Sequence, residues 1–160
     1  MTDTKMSPNK FVTQGKTRLV NNTIISPEMG NLRLIFAPCS KLGRPDTALH
    51  AILNKKWRTV GAELKGWHAQ NYTFKMGNVH SVAVQSDVWV ANALCIDENG
   101  VLNEKALESC VKAVAAIAKS DGGSVHVSTL TVEQMPHLAD YLSTYVIDRG
   151  LACYFYTEPV

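Results

Sequence analysis

Apolar runs of strand length alternate with stretches of helical periodicity along most of this chain. The run Leu32 to Ala37 (LRLIFA) is broken only by Arg33 and reads as a strand buried on both faces, as in the middle of a mostly parallel sheet. A polar loop, Pro38 to Pro45, follows it. Thr47, Ala48, Leu49, Ile52 and Leu53 then fall at helical spacing, with Pro45 suited to the first helical position and Asp46 to the first turn. That helix is expected to end near Trp57. A weaker one runs from Thr59 to Ala69, with Val60, Leu64, Trp67 and His68 on one side and Gly61 and Gly66 counting against it.

Tyr72 to Met76, Val79 to Val84 and Val88 to Ile96 read as three strands of a meander, joined at Gly77-Asn78 and Ser86-Asp87. Asn103 is placed to cap a helix reaching Ser120, with Leu107, Cys110, Val111, Val114, Ile117 and Ala118 as one apolar stripe and Gly122 as its stop. Ser124 to Leu130 reads as a strand. A helix from about Thr131 carries Met135, Leu138, Leu142 and Ile147 to Gly150, and Leu151 to Tyr156 closes the chain as a strand. Before the central strand, Lys10 to Gly15 and Thr23 to Ile25 are short strand candidates, and residues 1–9 lack any period, as a disordered tail would. Strand, helix, strand, helix, strand with right-handed crossovers gives parallel neighbours. The expected architecture is α/β: a single domain over residues 10–160, a three-layer α/β/α sandwich with a mixed, largely parallel sheet.

Composition narrows the function classes. With 160 residues, 46% hydrophobic and 19% charged, the chain suits one compact domain. A net charge of +2 offers no duplex nucleic-acid surface, no apolar run is long enough to span a membrane, and the opening MTDTKMSPNK lacks the apolar core of a signal peptide. A cytoplasmic protein is expected. Cys39, Cys95, Cys110 and Cys153 stand singly, without the paired spacing of a zinc site, so neither a metal nor a resident cofactor is expected. Three of them fall inside strands or helices as small hydrophobes. Cys39 falls in the central loop, where the alternative reading is a nucleophilic thiol, with no histidine beside it in sequence to activate it.

Candidate chemistry gathers at the carboxyl ends of the strands, where open α/β sheets bind ligands. On the first loop, Ser40, Lys41, Gly43 and Arg44 combine hydroxyl, backbone and positive charge, and Lys41 and Arg44 read either as phosphate ligands or as solvated cations. Ser128, Thr129, Thr131 and Glu133 follow the strand expected beside it. Asn92, the only polar residue between Val88 and Ile96, reads as a core side chain bonded to backbone or as a group presented to the crevice. His50 reads as a packed or surface histidine, His126 as a hydrogen-bonded core residue, and Trp57, Trp67 and Trp89 as packing aromatics.

This order of elements resembles the macro domain, the ADP-ribose-binding fold, and is most similar to its compact branch that removes ADP-ribose from DNA or carboxylates. The resemblance rests on Val12 to Thr17 (VTQGKT), on Phe36 to Trp57, on Ala106 to Lys119 with Ser124 to Thr129, and on Leu151 to Tyr156. It implies binding of ADP-ribose or another phosphorylated small molecule between the two loops, at the residues just named. It also places Lys16 where the family reads adenine with an aspartate, and leaves STLTVE (128–133) without the usual glycine-rich phosphate cradle. No lysine occupies Asn92 to Ile96, where the deglycosylating branch has its nucleophile. The expectation is a divergent member that binds without efficient hydrolysis. The alternative is a non-enzymatic interaction or structural protein, with a protein partner and a degenerate crevice.

Overall fold

A computed structural model describes residues 17–25, 27 and 31–158. The tail 1–9, the strand candidate at 10–15 and Lys16 lie outside the described residues. Six strands form one sheet: β1 (Thr17–Thr23), β2 (Leu32–Ser40), β3 (Val79–Gln85), β4 (Val88–Ile96), β5 (Gly123–Ser128) and β6 (Cys153–Glu158), in the order β1-β6-β5-β2-β4-β3. All neighbours are parallel except the β3–β4 hairpin, so the sheet is mixed and largely parallel, as the alternation of elements requires.

Helices α1 (Ala48–Lys56) and α2 (Thr59–Gln70) lie over β2 and β3. The opposite face carries α3 (Glu104–Asp121) and α5 (Leu138–Tyr145), while α4 (Thr129–Gln134) sits at the ends of β5 and β6. The two-residue alternation of the strands sorts the core between these layers. Leu34, Phe36, Ala91, Ala93, Val125 and Phe155 meet Leu107, Val111 and Val114 of α3. Ile35, Ala37, Val88, Val90 and Tyr156 meet Leu49, Leu53 and Val60 on the other side. The three-layer α/β/α sandwich is therefore present.

α3 forms where its sequence says it should: the Asn103 side chain accepts the Ala106 amide at 2.9 Å, and Gly122 ends it in the left-handed region at φ 68°. Other boundaries differ. β2 continues through Pro38 to Ser40, because β4 pairs with it along that whole length; Pro38 lies beyond the last β5 pair, Ile35–His126. Residues 72–76 form turns instead of a strand, so the meander reduces to one hairpin turning at Ser86-Asp87. β1 precedes the expected 23–25 run, and its pairing with β6, the most distant strand in sequence, is a constraint no local pattern shows. The expected helix to Gly150 is interrupted by Met135, Pro136 and His137 (φ 71°), then resumes as α5 and a 3₁₀ turn, Ile147–Arg149.

Candidate functional site

β2 and β5 are adjacent and parallel, so the loop after Ser40 and the helix after Ser128 leave the same edge of the sheet. Ser40 is buried at the end of β2, and its Oγ accepts the Leu42 amide at 3.2 Å. The Lys41 amide donates to the Ile96 carbonyl at 2.9 Å, and the Gly43 amide to the Ser40 carbonyl at 3.1 Å. Gly43 is itself buried at φ 69°, and any Cβ there would stand 2.3 Å from the His68 ring. Lys41 and Arg44 project into solvent, with Arg44 Nε 3.8 Å from Asp46.

α1 begins later than expected. Thr47 is its cap, accepting the His50 amide at 3.0 Å, so Pro45 and Asp46 belong to the loop and not to the first turn. The same hydroxyl meets His50 Nδ1 at 3.1 Å, and His50 Nε2 lies 2.6 Å from Asn92 Oδ1. The carboxamide oxygen can only accept, so Nε2 carries the proton and Thr47 donates to Nδ1. Both His50 and Asn92 are fully buried. Burial pushes the His50 pKa below its ordinary value, opposed by the Asn92 bond, the Pro38 carbonyl and Asp46. Asn92 thus bonds across layers to a histidine instead of to backbone, and its Nδ2 has no hydrogen-bond partner among the described residues. The Thr47–His50–Asn92 chain ties the first loop to β4 from beneath.

On the other strand, Ser128 is the cap of α4, its Oγ accepting the Leu130 amide at 3.2 Å. Thr129 is half-buried as the first helical residue, Thr131 is buried and Glu133 is exposed. In β5 itself, His126 lies 2.7 Å from Ser124 Oγ and 2.6 Å from Tyr156 OH, and its ring stacks on Tyr154 at 4.7 Å. Burial and then the Arg33 charge lower its pKa to about 3, so it is a neutral core histidine, as its place in a core strand suggested.

Cys39 lies within β2, fully buried, and burial pushes its thiol up, with Cys95 and Asp46 adding to the effect. It is no exposed loop nucleophile. The four cysteines are free and buried, and no group of three potential metal ligands occurs among the described residues. No helix of the described residues is long and apolar enough to cross a membrane.

The structure therefore brings Ser40, Lys41, Gly43 and Arg44 to the same sheet edge as Ser128, Thr129, Thr131 and Glu133, and sets Asn92 in the layer below. A cavity of about 500 Å³ between α1 and α2 touches the first loop at Pro45. Sequence reasoning missed the partnership of His50 with Asn92. Its one signal was a polar residue inside a nine-residue apolar strand, which needs a partner in the layer above.

The chain has the macrodomain fold. It is similar over 89% of its length to a macrodomain protein from Streptomyces coelicolor (99% of that chain), with a TM-score of 0.81 at 21% identity. The macrodomain of Thermus aquaticus DarG matches 89% of this chain and 98% of its own, with a TM-score of 0.64 at 9% identity. Thermosipho africanus DarTG, solved in complex with ADP-ribose, matches 78% of this chain and 38% of its own, at 0.60 and 10%. At these identities the likeness is one of fold. The sequence matches no protein-family model and no curated protein.

Proposed function

We propose that this chain binds ADP-ribose or a related phosphorylated nucleotide across the carboxyl ends of β2 and β5, without efficient hydrolysis. One observation carries the reading: the two loops that would hold such a ligand leave adjacent parallel strands of a macrodomain fold. A structural neighbour with ADP-ribose bound supports the choice of ligand. Lys41 and Arg44 supply positive charge and half-buried Thr129 a hydroxyl, while left-handed Gly43 and the buried Ser40, Ser128 and Thr131 shape the two segments. Asn92 acts through His50 in holding the first loop, and Glu133 is the carboxylate of the second segment. Four unpaired thiols suit a reducing cytoplasm.

Hydrolysis needs an activated nucleophile or base within reach of the reacting carbon. Asn92 to Ile96 holds no lysine, His50 is buried and committed to two bonds, and the Cys39 thiol is held protonated. Glu133 is the carboxylate left, and it has no positioned partner among the described residues. The expected outcome is no release of ADP-ribose from modified DNA or protein; release that disappears in Glu133→Ala contradicts the assignment. A second reading, an interaction protein with a closed crevice, is favoured by one specific feature. β5 passes directly into a capped helix without a glycine, and Ser40, Ser128 and Thr131 are buried at the two segments. Thermal shift separates the two. A ligand at one hundred times its dissociation constant adds about 2.7 kcal/mol, so a flat response to ADP-ribose, ADP, NAD and phosphate favours the second.

A further inference from the structure

Charge is distributed unevenly over the sandwich. Residues 41–75, which make the first loop, α1, α2 and the turn after it, carry Lys41, Arg44, Lys55, Lys56, Arg58, Lys65 and Lys75 against only Asp46 and Glu63. That is a net +5 in a chain of net +2, leaving −3 for the remaining residues. All seven cations are exposed. The two acids are engaged locally: Asp46 faces Arg44 at 3.8 Å, and Glu63 meets His80 at 3.3 Å. Between α1 and α2 lies a cavity of about 500 Å³ with Lys55, Arg58 and Lys65 on its walls and no carboxylate lining it. Its floor is fixed by the close approach of the two helices, where the Asn54 side chain accepts the Gly61 amide at 2.9 Å and a Cβ on Gly61 would stand 2.6 Å from that oxygen. No ion pair among the described residues engages Lys55, Arg58 or Lys65.

Three like charges lining one concavity repel one another, and a multiply charged anion relieves that repulsion. Lysines supply point charges and Arg58 a fork, a set suited to phosphate oxygens. We propose that the α1–α2 cavity is a binding site for a phosphate chain bearing several charges, separate from the crevice at the β2 and β5 ends and independent of what that crevice binds. The shared chemistry is a run of phosphate groups, either free as an oligophosphate or esterified in a nucleic-acid strand.

Calorimetry of the full chain with inorganic tripolyphosphate tests it, beside fluorescence anisotropy with a labelled twelve-nucleotide thymidylate strand. Tripolyphosphate binding is expected to weaken at least tenfold in Lys55→Glu/Arg58→Glu and to fall with rising salt. It should stay within twofold of wild type in Lys105→Ala, an exposed cation of α3 on the opposite layer. The exposed positions of Lys55 and Arg58 leave the fold intact, to be checked by an unchanged unfolding midpoint. If the thymidylate strand shows the same losses, the chain bound is an esterified one; if only tripolyphosphate does, it is a free one. Absence of tripolyphosphate binding by wild type, or equal binding by the double variant, overturns the site.

Discussion

β2 and β5 end alike and then part. Each finishes on a buried serine, Ser40 or Ser128, whose Oγ accepts the amide two residues on at 3.2 Å. After Ser40 the chain turns through left-handed Gly43 and exposes Lys41 and Arg44 before α1 starts at Ala48. After Ser128 it enters α4 at once. The same serine turn therefore opens a loop where a glycine allows positive φ, and caps a helix where Thr129 to Gln134 offers none. A ligand crevice built from these two ends is asymmetric: one wall can be basic backbone loop, while the other is a helix presenting hydroxyls.

The contrast can be broken most sharply at Gly43. Gly43→Ala puts a side chain at φ 69° and into the His68 ring, and is expected to cost about 2–4 kcal/mol in denaturant unfolding. His68→Ala in the same background should return only a small part of that loss, since the His68 Cβ, 2.4 Å from the built position, remains along with the backbone strain. A cost below about 1 kcal/mol would mean that the loop yields easily and the glycine is dispensable.

Each strand end also has its own neutral buried histidine, His50 below the loop and His126 within β5. Both have pKa values lowered in the fold, His126 to about 3. Above pH of about 6.5 the unfolded histidines are also neutral, and the contribution to stability is complete. As pH falls below that value the unfolded chain binds protons that the native one refuses. Stability should therefore decline by about 1.4 kcal/mol per pH unit for each histidine, down to the folded pKa. His126→Gln should flatten the slope by one proton, read from unfolding at several pH values. An unchanged slope would show that His126 titrates normally in the fold.

Smaller effects separate the serines. Ser128→Ala removes a helix cap and should cost about 1 kcal/mol, with Ser128→Gly only a few tenths. Ser40→Ala removes one hydrogen bond in a turn that no helix depends on, and should cost less. Equal losses at the two positions would erase the distinction between loop opener and helix cap.

Much of this frame was legible in the chain. β4 is an apolar run broken only by Asn92 and ended by turn residues, and α3 combines cap, stripe and stop, so local and tertiary preferences agree. Boundaries at the site were harder for identifiable reasons. Pro38 reads as a loop residue, yet β4 holds it in the strand on the side where pairing continues. The apolar period Met135, Leu138, Leu142 runs straight through the break at Pro136 and His137, because both helices bury the same face. Thr47 replaced Pro45 at the start of α1 because its hydroxyl serves both the His50 amide and the His50 ring, whose other nitrogen meets Asn92, forty-two residues beyond His50. The gathering of Ser40–Arg44 with Ser128–Glu133 followed from strand order, and what fills the space between them depends on side-chain packing that no periodicity encodes.

The central claim is that the edge formed by these two strand ends binds a phosphorylated nucleotide with help from Arg44. Calorimetric titration of ADP-ribose into wild type and Arg44→Ala tests it most directly. Saturable heat for one site is expected in wild type, with an affinity lower by about tenfold or more in the variant, the value of a charged hydrogen bond. Folded protein giving no heat with ADP-ribose, ADP or NAD would contradict it.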